Sequence, residues 1–160
     1  MQYHKRRFLK RPGQRGFTLV ELLIVIALSF TLGLVSLMGV NETLPRWRLN
    51  AAARNIRGDL VLVRSLAIKE MREYRVVFSS DGYSVQKGDA RAGSSTWTQE
   101  QTGNLSEYSG VTVDTGQSGI PVFRPNGNTP NPGVQVVITN SNSDSKTLTI
   151  SLTGRVEILG

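Results

Sequence analysis

Residues 17–40 read Phe-Thr-Leu-Val-Glu-Leu-Leu-Ile-Val-Ile-Ala-Leu-Ser-Phe-Thr-Leu-Gly-Leu-Val-Ser-Leu-Met-Gly-Val, an apolar run broken by a single charge, Glu21. As a helix rising about 1.5 Å per residue it would reach roughly 36 Å, more than a bilayer core of about 30 Å. A carboxylate in such a run costs on the order of a few kcal/mol unless it finds a partner or the interface. Glu21 is therefore a candidate functional residue.

The segment ahead of the run fixes its orientation. The chain has 160 residues and a formal net charge of +7, and six of its 19 basic residues lie in residues 1–16 with no acid among them. The rest holds 13 basic residues against 12 acidic ones, so the positive charge belongs to a leader. A basic leader before an apolar helix keeps the N-terminus in the cytoplasm and sends the remainder across. A basic arm for nucleic acid is the alternative, and nucleic acid is not the expected partner of a near-neutral domain. A cleaved secretory signal would have a shorter apolar core and a small-residue site after it, whereas Val40-Asn41-Glu42-Thr43 follows here. The expectation is a single pass with the C-terminal part outside. The sequence contains no cysteine, so that part must rest on a packed core, for which roughly 90 residues suffice.

Pro45 either kinks a continuing helix or marks a short break. Beyond it Leu49, Ala53, Ile56, Leu60, Val63, Ala67 and Met71 recur at spacings of three and four, predicting an amphipathic helix. Arg48, Arg54, Arg57, Asp59, Arg64 and Arg72 are expected on its opposite face, as a solvated or subunit-facing surface. Gly58 inside this pattern costs about 1 kcal/mol against alanine.

From Tyr74 the period becomes two. Tyr74–Ser79, Asp81-Gly82 and Tyr83–Lys87 read as a β-hairpin, and Ala92–Ser95 as a flexible loop before Trp97. Further strands are expected at Val111–Asp114, Ile120–Arg124, Val134–Thr139, Thr147–Leu152 and Arg155–Leu159, separated by turn-forming residues. One long helix followed by short strands implies an α+β domain with antiparallel sheets packed on the amphipathic half-helix.

Arg15-Gly16-Phe17-Thr18-Leu19-Val20-Glu21 resembles the processing and methylation motif of type IV prepilins and type II secretion pseudopilins. The resemblance implies a type IV pilin-like fold. It divides the chain into a cleaved leader (1–16), a transmembrane and filament-core half-helix (17–40), an amphipathic half (41–73) and a periplasmic β-rich domain (74–160). It implies that a prepilin peptidase cuts after Gly16 and methylates the new amino group of Phe17, and that Glu21 pairs with that group on a neighbouring subunit. Opposite charges attract strongly where the dielectric is low, and either alone is costly there.

Residues 49–69, Val122-Phe123-Arg124-Pro125-Asn126-Gly127 and Ser151-Leu152-Thr153-Gly154-Arg155-Val156 resemble the subgroup of minor pseudopilin H and FimT. The expected function is that of a minor pseudopilin in the periplasmic pseudopilus of a type II secretion system. Its partners would be prepilin peptidase, other pseudopilins or pilins, and inner-membrane lipid before assembly. The alternative is a FimT-like minor pilin assisting pilus assembly or DNA uptake, with Arg155, Arg124 and Lys146 as candidate phosphate contacts. DNA-binding relatives carry a second basic residue two positions after this arginine, where Glu157 stands here.

No catalytic role is expected. The chain has no phosphate-cradling Gly-x-x-x-x-Gly-Lys-Ser/Thr loop, and its one histidine, His4, lies in the leader. No cofactor or metal is expected. Asn140, Asn142, Ser143 and Asp144 offer oxygen ligands for calcium, but they read better as a solvated turn.

Overall fold

The computed structural model describes residues 16–79 and 82–159, except for the side chains of residues 34–42 and 117. The basic leader through Arg15, and the turn residue Asp81, lie outside the described residues.

The elements are α1 (Leu19–Glu70), β1 (Tyr74–Ser79), β2 (Gly82–Gly88), β3 (Trp97–Asn104), β4 (Thr112–Asp114), β5 (Val122–Phe123), β6 (Val134–Thr139), β7 (Ser145–Ile150) and β8 (Val156–Leu159). A 3-10 turn, Gly116–Ser118, sits between β4 and β5. The chain divides into two compact units, one ending at Gly39 and the other starting at Val40.

In the second unit the helix continues through Pro45, which rules out a break there. The turns after it are held by burial of Leu49, Ala53, Ile56, Leu60, Val63 and Ala67, which the spacing predicts, and of Ala52, which it does not. Each large aliphatic side chain so buried contributes about 1.5–3 kcal/mol. Met71 does not join the stripe. The helix ends at Glu70, and Met71 turns into the left-handed region (φ 56) with 43% of its surface exposed. Glycine usually occupies that helix-terminating position.

The arginines also depart from expectation. Arg48 donates to the Ser109 carbonyl at 3.2 Å, Arg57 to Val156 at 3.2 Å, Arg64 to Gly127 at 2.8 Å, and Arg72 to Asp89. They flank the buried stripe and tie the helix to carbonyls of the β-rich part, while Arg54, Arg57 and Arg72 all stay exposed as expected and Arg54 makes no such bond among the described residues. Asp59 likewise accepts from the Tyr83 hydroxyl.

Two antiparallel four-stranded sheets complete the unit, in the orders β3-β2-β1-β5 and β4-β6-β7-β8. Their inward residues share one core with the helix stripe, with Tyr74, Val76, Phe123, Val136, Ile138, Leu148 and Ile150 almost fully enclosed. Gly82 pairs with Ser79, so it belongs to β2 and the hairpin connection shrinks to residues 80 and 81. A Cβ at Gly82 would stand 2.3 Å from the Gly103 carbonyl, which explains a glycine inside the strand.

Strand β3 is the element the pattern does not announce. Trp-Thr-Gln-Glu-Gln-Thr-Gly-Asn has no apolar alternation because most of its side chains are exposed. Backbone pairing to β2 at the sheet edge holds it, and polar residues suit an unprotected edge. Strand β5 is shorter than expected because Pro121 and the turn after Phe123 bound it. Strands β7 and β8 begin and end within two residues of their predicted positions.

Candidate functional site

The residues expected to be processed lie just before α1. Gly16, Phe17 and Thr18 are non-helical, the space where a Cβ of Gly16 would point is open, and Phe17 is 85% exposed. Thr18 caps the helix. Its Oγ1 accepts the Glu21 backbone N–H at 3.2 Å, and its carbonyl accepts that of Leu22 at 3.2 Å. Thr-x-x-Glu is capping-box spacing, and it places Glu21 in the first turn, where the helix dipole favours a carboxylate. This capping role was legible in the sequence but is absent from the motif reading above.

Beyond the cap, consecutive large apolar side chains from Leu22 to Ile26 are roughly half exposed, so every face of the helix there is apolar. A helix apolar all round is one that is buried by something else. The hydroxyls of Ser29 and Thr31 turn back onto their own helix, Ser29 to the Val25 carbonyl and Thr31 to that of Leu28, each at 2.8 Å. Among the described residues no helix is long and apolar enough to cross a membrane. The run continues in sequence to Val40, and the transmembrane reading depends on residues 34–40, whose side chains lie outside the described residues.

The two motifs that suggested the subgroup meet in space. In the turn 124–127 the Gly127 N–H donates to the Arg124 carbonyl at 2.8 Å; in the turn 151–154 the Gly154 N–H donates to Ser151, also at 2.8 Å. Both glycines are left-handed (φ 78 and 72), and a Cβ on Gly154 would lie 2.1 Å from the Gly127 carbonyl. The Arg64 Nε reaches the same carbonyl from α1. One arginine on the helix thus bonds the first turn and lies against Gly154 of the second, a role spacing alone could not reveal.

The three basic candidates are differently placed. Arg155 is exposed and pairs with Glu157 at 3.0 Å. Arg124 pairs at 3.3 Å with Glu73, whose side chain is buried. Burial pushes the Glu73 carboxyl up, but hydrogen bonds from Ser94 and Arg124 outweigh it and leave its pKa below the usual carboxylate range. Lys146 is the second residue of β7, opposite Ile138, whereas Arg155 follows the far end of that strand. Five residue-to-residue steps along the chain separate Lys146 from Ser151, about 16 Å. Arg124 and Arg155 are thus each engaged by an acid, and Lys146 does not join them in one patch.

In the turn Asn140–Asp144, the Asn140 side-chain oxygen accepts the Asn142 and Asp144 N–H groups, each at 2.9 Å. Its amide donates to the Asp144 carboxylate at 3.1 Å, and Arg46 meets that carboxylate at 3.3 Å. These donors hold the Asp144 pKa below its ordinary value, Asn140 foremost. Two of the oxygens calcium would need are thus committed to N–H groups. Among the described residues no cluster of three His, Cys, Asp or Glu side chains could hold a metal.

Two families match the sequence: type II transport protein GspH over residues 52–154, and the prokaryotic N-terminal methylation motif over residues 11–37. No curated protein matches it. The fold is similar to that of the minor pseudopilin EpsH from the Type 2 Secretion System of Vibrio cholerae, in two solved structures. One has 15% identity and a TM-score of 0.55, covering 71% of this chain and 97% of that one. The other has 14% identity and a TM-score of 0.55, covering 71% and 94%. At this identity the likeness is one of fold, an N-terminal helix on antiparallel sheets.

Proposed function

The chain belongs to the type II transport protein GspH family, and from that premise we propose that it works as a minor pseudopilin, a structural subunit of the pseudopilus of a type II secretion system. The observation that carries the reading is the pairing on one chain of the GspH match with an N-terminal methylation motif.

On this reading the precursor sits in the bacterial inner membrane, leader in the cytoplasm and β-rich domain in the periplasm. Prepilin peptidase hydrolyses the Gly16–Phe17 peptide bond, releasing the +6 leader, and methylates the new Phe17 amino group. The exposed, non-helical backbone at Gly16–Thr18 suits that cut, since a peptide bond inside a helix would first have to be unwound. Glu21 then pairs with the Phe17 ammonium of a neighbouring subunit, which cancels two charges that the apolar filament core would otherwise expose singly. The protein is a substrate of processing and a building block; the force for secretion comes from elsewhere.

The test is an in-frame deletion in the native host, complemented in trans. Exoprotein trapped in the periplasm, with normal DNA uptake, is the expected result. Normal secretion with lost transformation would overturn the reading in favour of a pilus subunit.

A further inference from the structure

We propose that the outer face of the first sheet, β3-β2-β1-β5, binds a carboxylate-bearing polysaccharide at a row of side chains centred on Arg75 and Gln86. The inference goes beyond the proposed function and rests on the chemistry of this face alone.

Tyr74, Val76, Tyr83 and Val85 are buried in the core, so the residues that alternate with them face outward. Partners in register share a face. This lines up Arg75 on β1, Gln86 on β2 and Gln99 on β3 in one row about 10 Å long. Ser84 and Thr102 pair in a row beside it. The register between β2 and β3 is broken: Val85 pairs with Gln101 but Gln86 pairs with Gln99, so Glu100 is passed over in a bulge. In unbroken register Glu100 would stand opposite Gln86. The bulge takes that carboxylate out of the row, and Glu100 lines a cleft with Arg72 and Lys87 instead. The same shift brings Trp97 to the outer face, two residues from Gln99. Bulges re-aim side chains in this way beside functional sites.

The row is set for an anion. The Arg75 guanidinium lies 4.3 Å from the centre of the Trp97 ring, and its Nε donates to the Gln86 side-chain oxygen at 2.7 Å. Ring and amide hold it in place, while its two terminal nitrogens have no hydrogen-bond partner among the described residues. None of the ion pairs among the described residues includes Arg75. An oriented guanidinium with both terminal nitrogens open is the fork that receives a carboxylate through two parallel hydrogen bonds. The outer face of the second sheet carries Asp114 and Glu157, so an anion is directed to the first.

The surroundings select among anions. Beside the fork stand the amides of Gln86 and Gln99 and the hydroxyls of Ser84 and Thr102, neutral groups that both donate to and accept from hydroxyls. The Trp97 indole adds an apolar body for C–H groups. One sugar acid carries a carboxylate, hydroxyls and an apolar C–H face together, and a flat sheet suits a chain of such units. Nucleic acid carries a charge at every nucleotide and calls for several cations, whereas Arg124, which follows β5 at the edge of this sheet, already meets Glu73. The core of a protein interface is an apolar patch, whereas the aliphatic residues beside the row, Val77 and Val122, are both half-buried.

The experiment titrates the full chain in detergent micelles with galacturonate oligomers, in a Trp47→Phe background that leaves Trp97 as the one tryptophan. The expected result is a saturable change in Trp97 emission. Fully methyl-esterified oligomers, the same sugars without the charge, should bind at least about tenfold more weakly. Arg75→Gln should weaken binding at least about tenfold, and Arg75→Lys, which keeps the charge but not the fork, by less. Gln99→Glu returns a carboxylate to the row at an exposed position and should also weaken binding about tenfold. Arg54→Gln, away from this face, should bind as the parent does. Melting temperatures separate lost binding from lost fold, and if Arg75→Gln melts early, Gln99→Glu decides. No saturable response overturns the proposal, as does equal binding of the methyl ester or a response that Gln99→Glu leaves intact. Tighter binding of polyglutamate or of single-stranded DNA overturns the polysaccharide in favour of an acidic peptide or a nucleic acid.

Discussion

At the scale of single residues, Gly154 and Glu73 carry the most consequence. Gly154→Ala would place a methyl 2.1 Å from the Gly127 carbonyl and keep a left-handed backbone. Gly93→Ala has the same backbone problem (φ 69) with open space around it. Unfolding free energies from denaturant titration should therefore fall by about 1 kcal/mol for Gly93→Ala and by at least about 2 kcal/mol for Gly154→Ala. Equal losses would mean that the close approach of the two turns contributes nothing. Glu73 predicts a pH response. Its folded pKa is depressed, and so are those of Glu70, Asp89 and Asp144, so the stability they supply is present above the ordinary carboxylate pKa. That stability is lost as the pH falls through the folded values. Unfolding midpoints between pH 7 and pH 3 should drop on the acid side, and Glu73→Gln should flatten part of the slope. The sequence marks 124–127 and 151–154 as turns through their glycines. It cannot mark Arg64 or Glu73, because what they do depends on carbonyls and amides brought close only by folding.

At the scale of elements, the helix shows both the strength and the blind spot of periodicity. The buried stripe is legible because apolar residues recur on one face, and Ile56→Ala should cost about 2–5 kcal/mol in a denaturation series. Trp47→Ala, on the outward face, should leave the unfolding free energy within about 0.5 kcal/mol. A large stability loss for Trp47→Ala would mean that the face is not free. Met71 reads as one more stripe residue in sequence, and only the left-handed turn at the helix end shows otherwise. Replacing it with glycine should raise stability by about 1 kcal/mol, measured as an increased melting temperature. Strand β3 escapes pattern reading for the opposite reason. Its side chains pack on little, so its sequence is free to be polar while its backbone is not free to leave β2.

For the whole molecule, two units differ in kind: one is apolar on every face from Leu22 to Ile26, and the other rests on a single shared core. The α+β class and the antiparallel sheets follow from the order of elements, whereas the pairing order β3-β2-β1-β5 and β4-β6-β7-β8 does not. Gly16→Ala should leave full-length, unmethylated precursor in the inner membrane, detected by mass spectrometry of the N-terminus; normal cleavage would sink the assignment. Glu21→Val should be cut normally yet enter the filament poorly, and wild-type incorporation would refute the pairing role. The Thr18 cap gives that pairing a dimension. Since the helix begins at Leu19, a cut after Gly16 leaves Phe17 as the one residue ahead of the capping threonine. The new ammonium is then on a tether one residue long. A cut displaced by one bond would move it by about 3.5 Å, enough to break an ion pair. On the proposed function, peptidase and cap together would act as a gauge, and each subunit would enter the stack already trimmed to the tolerance of its neighbour.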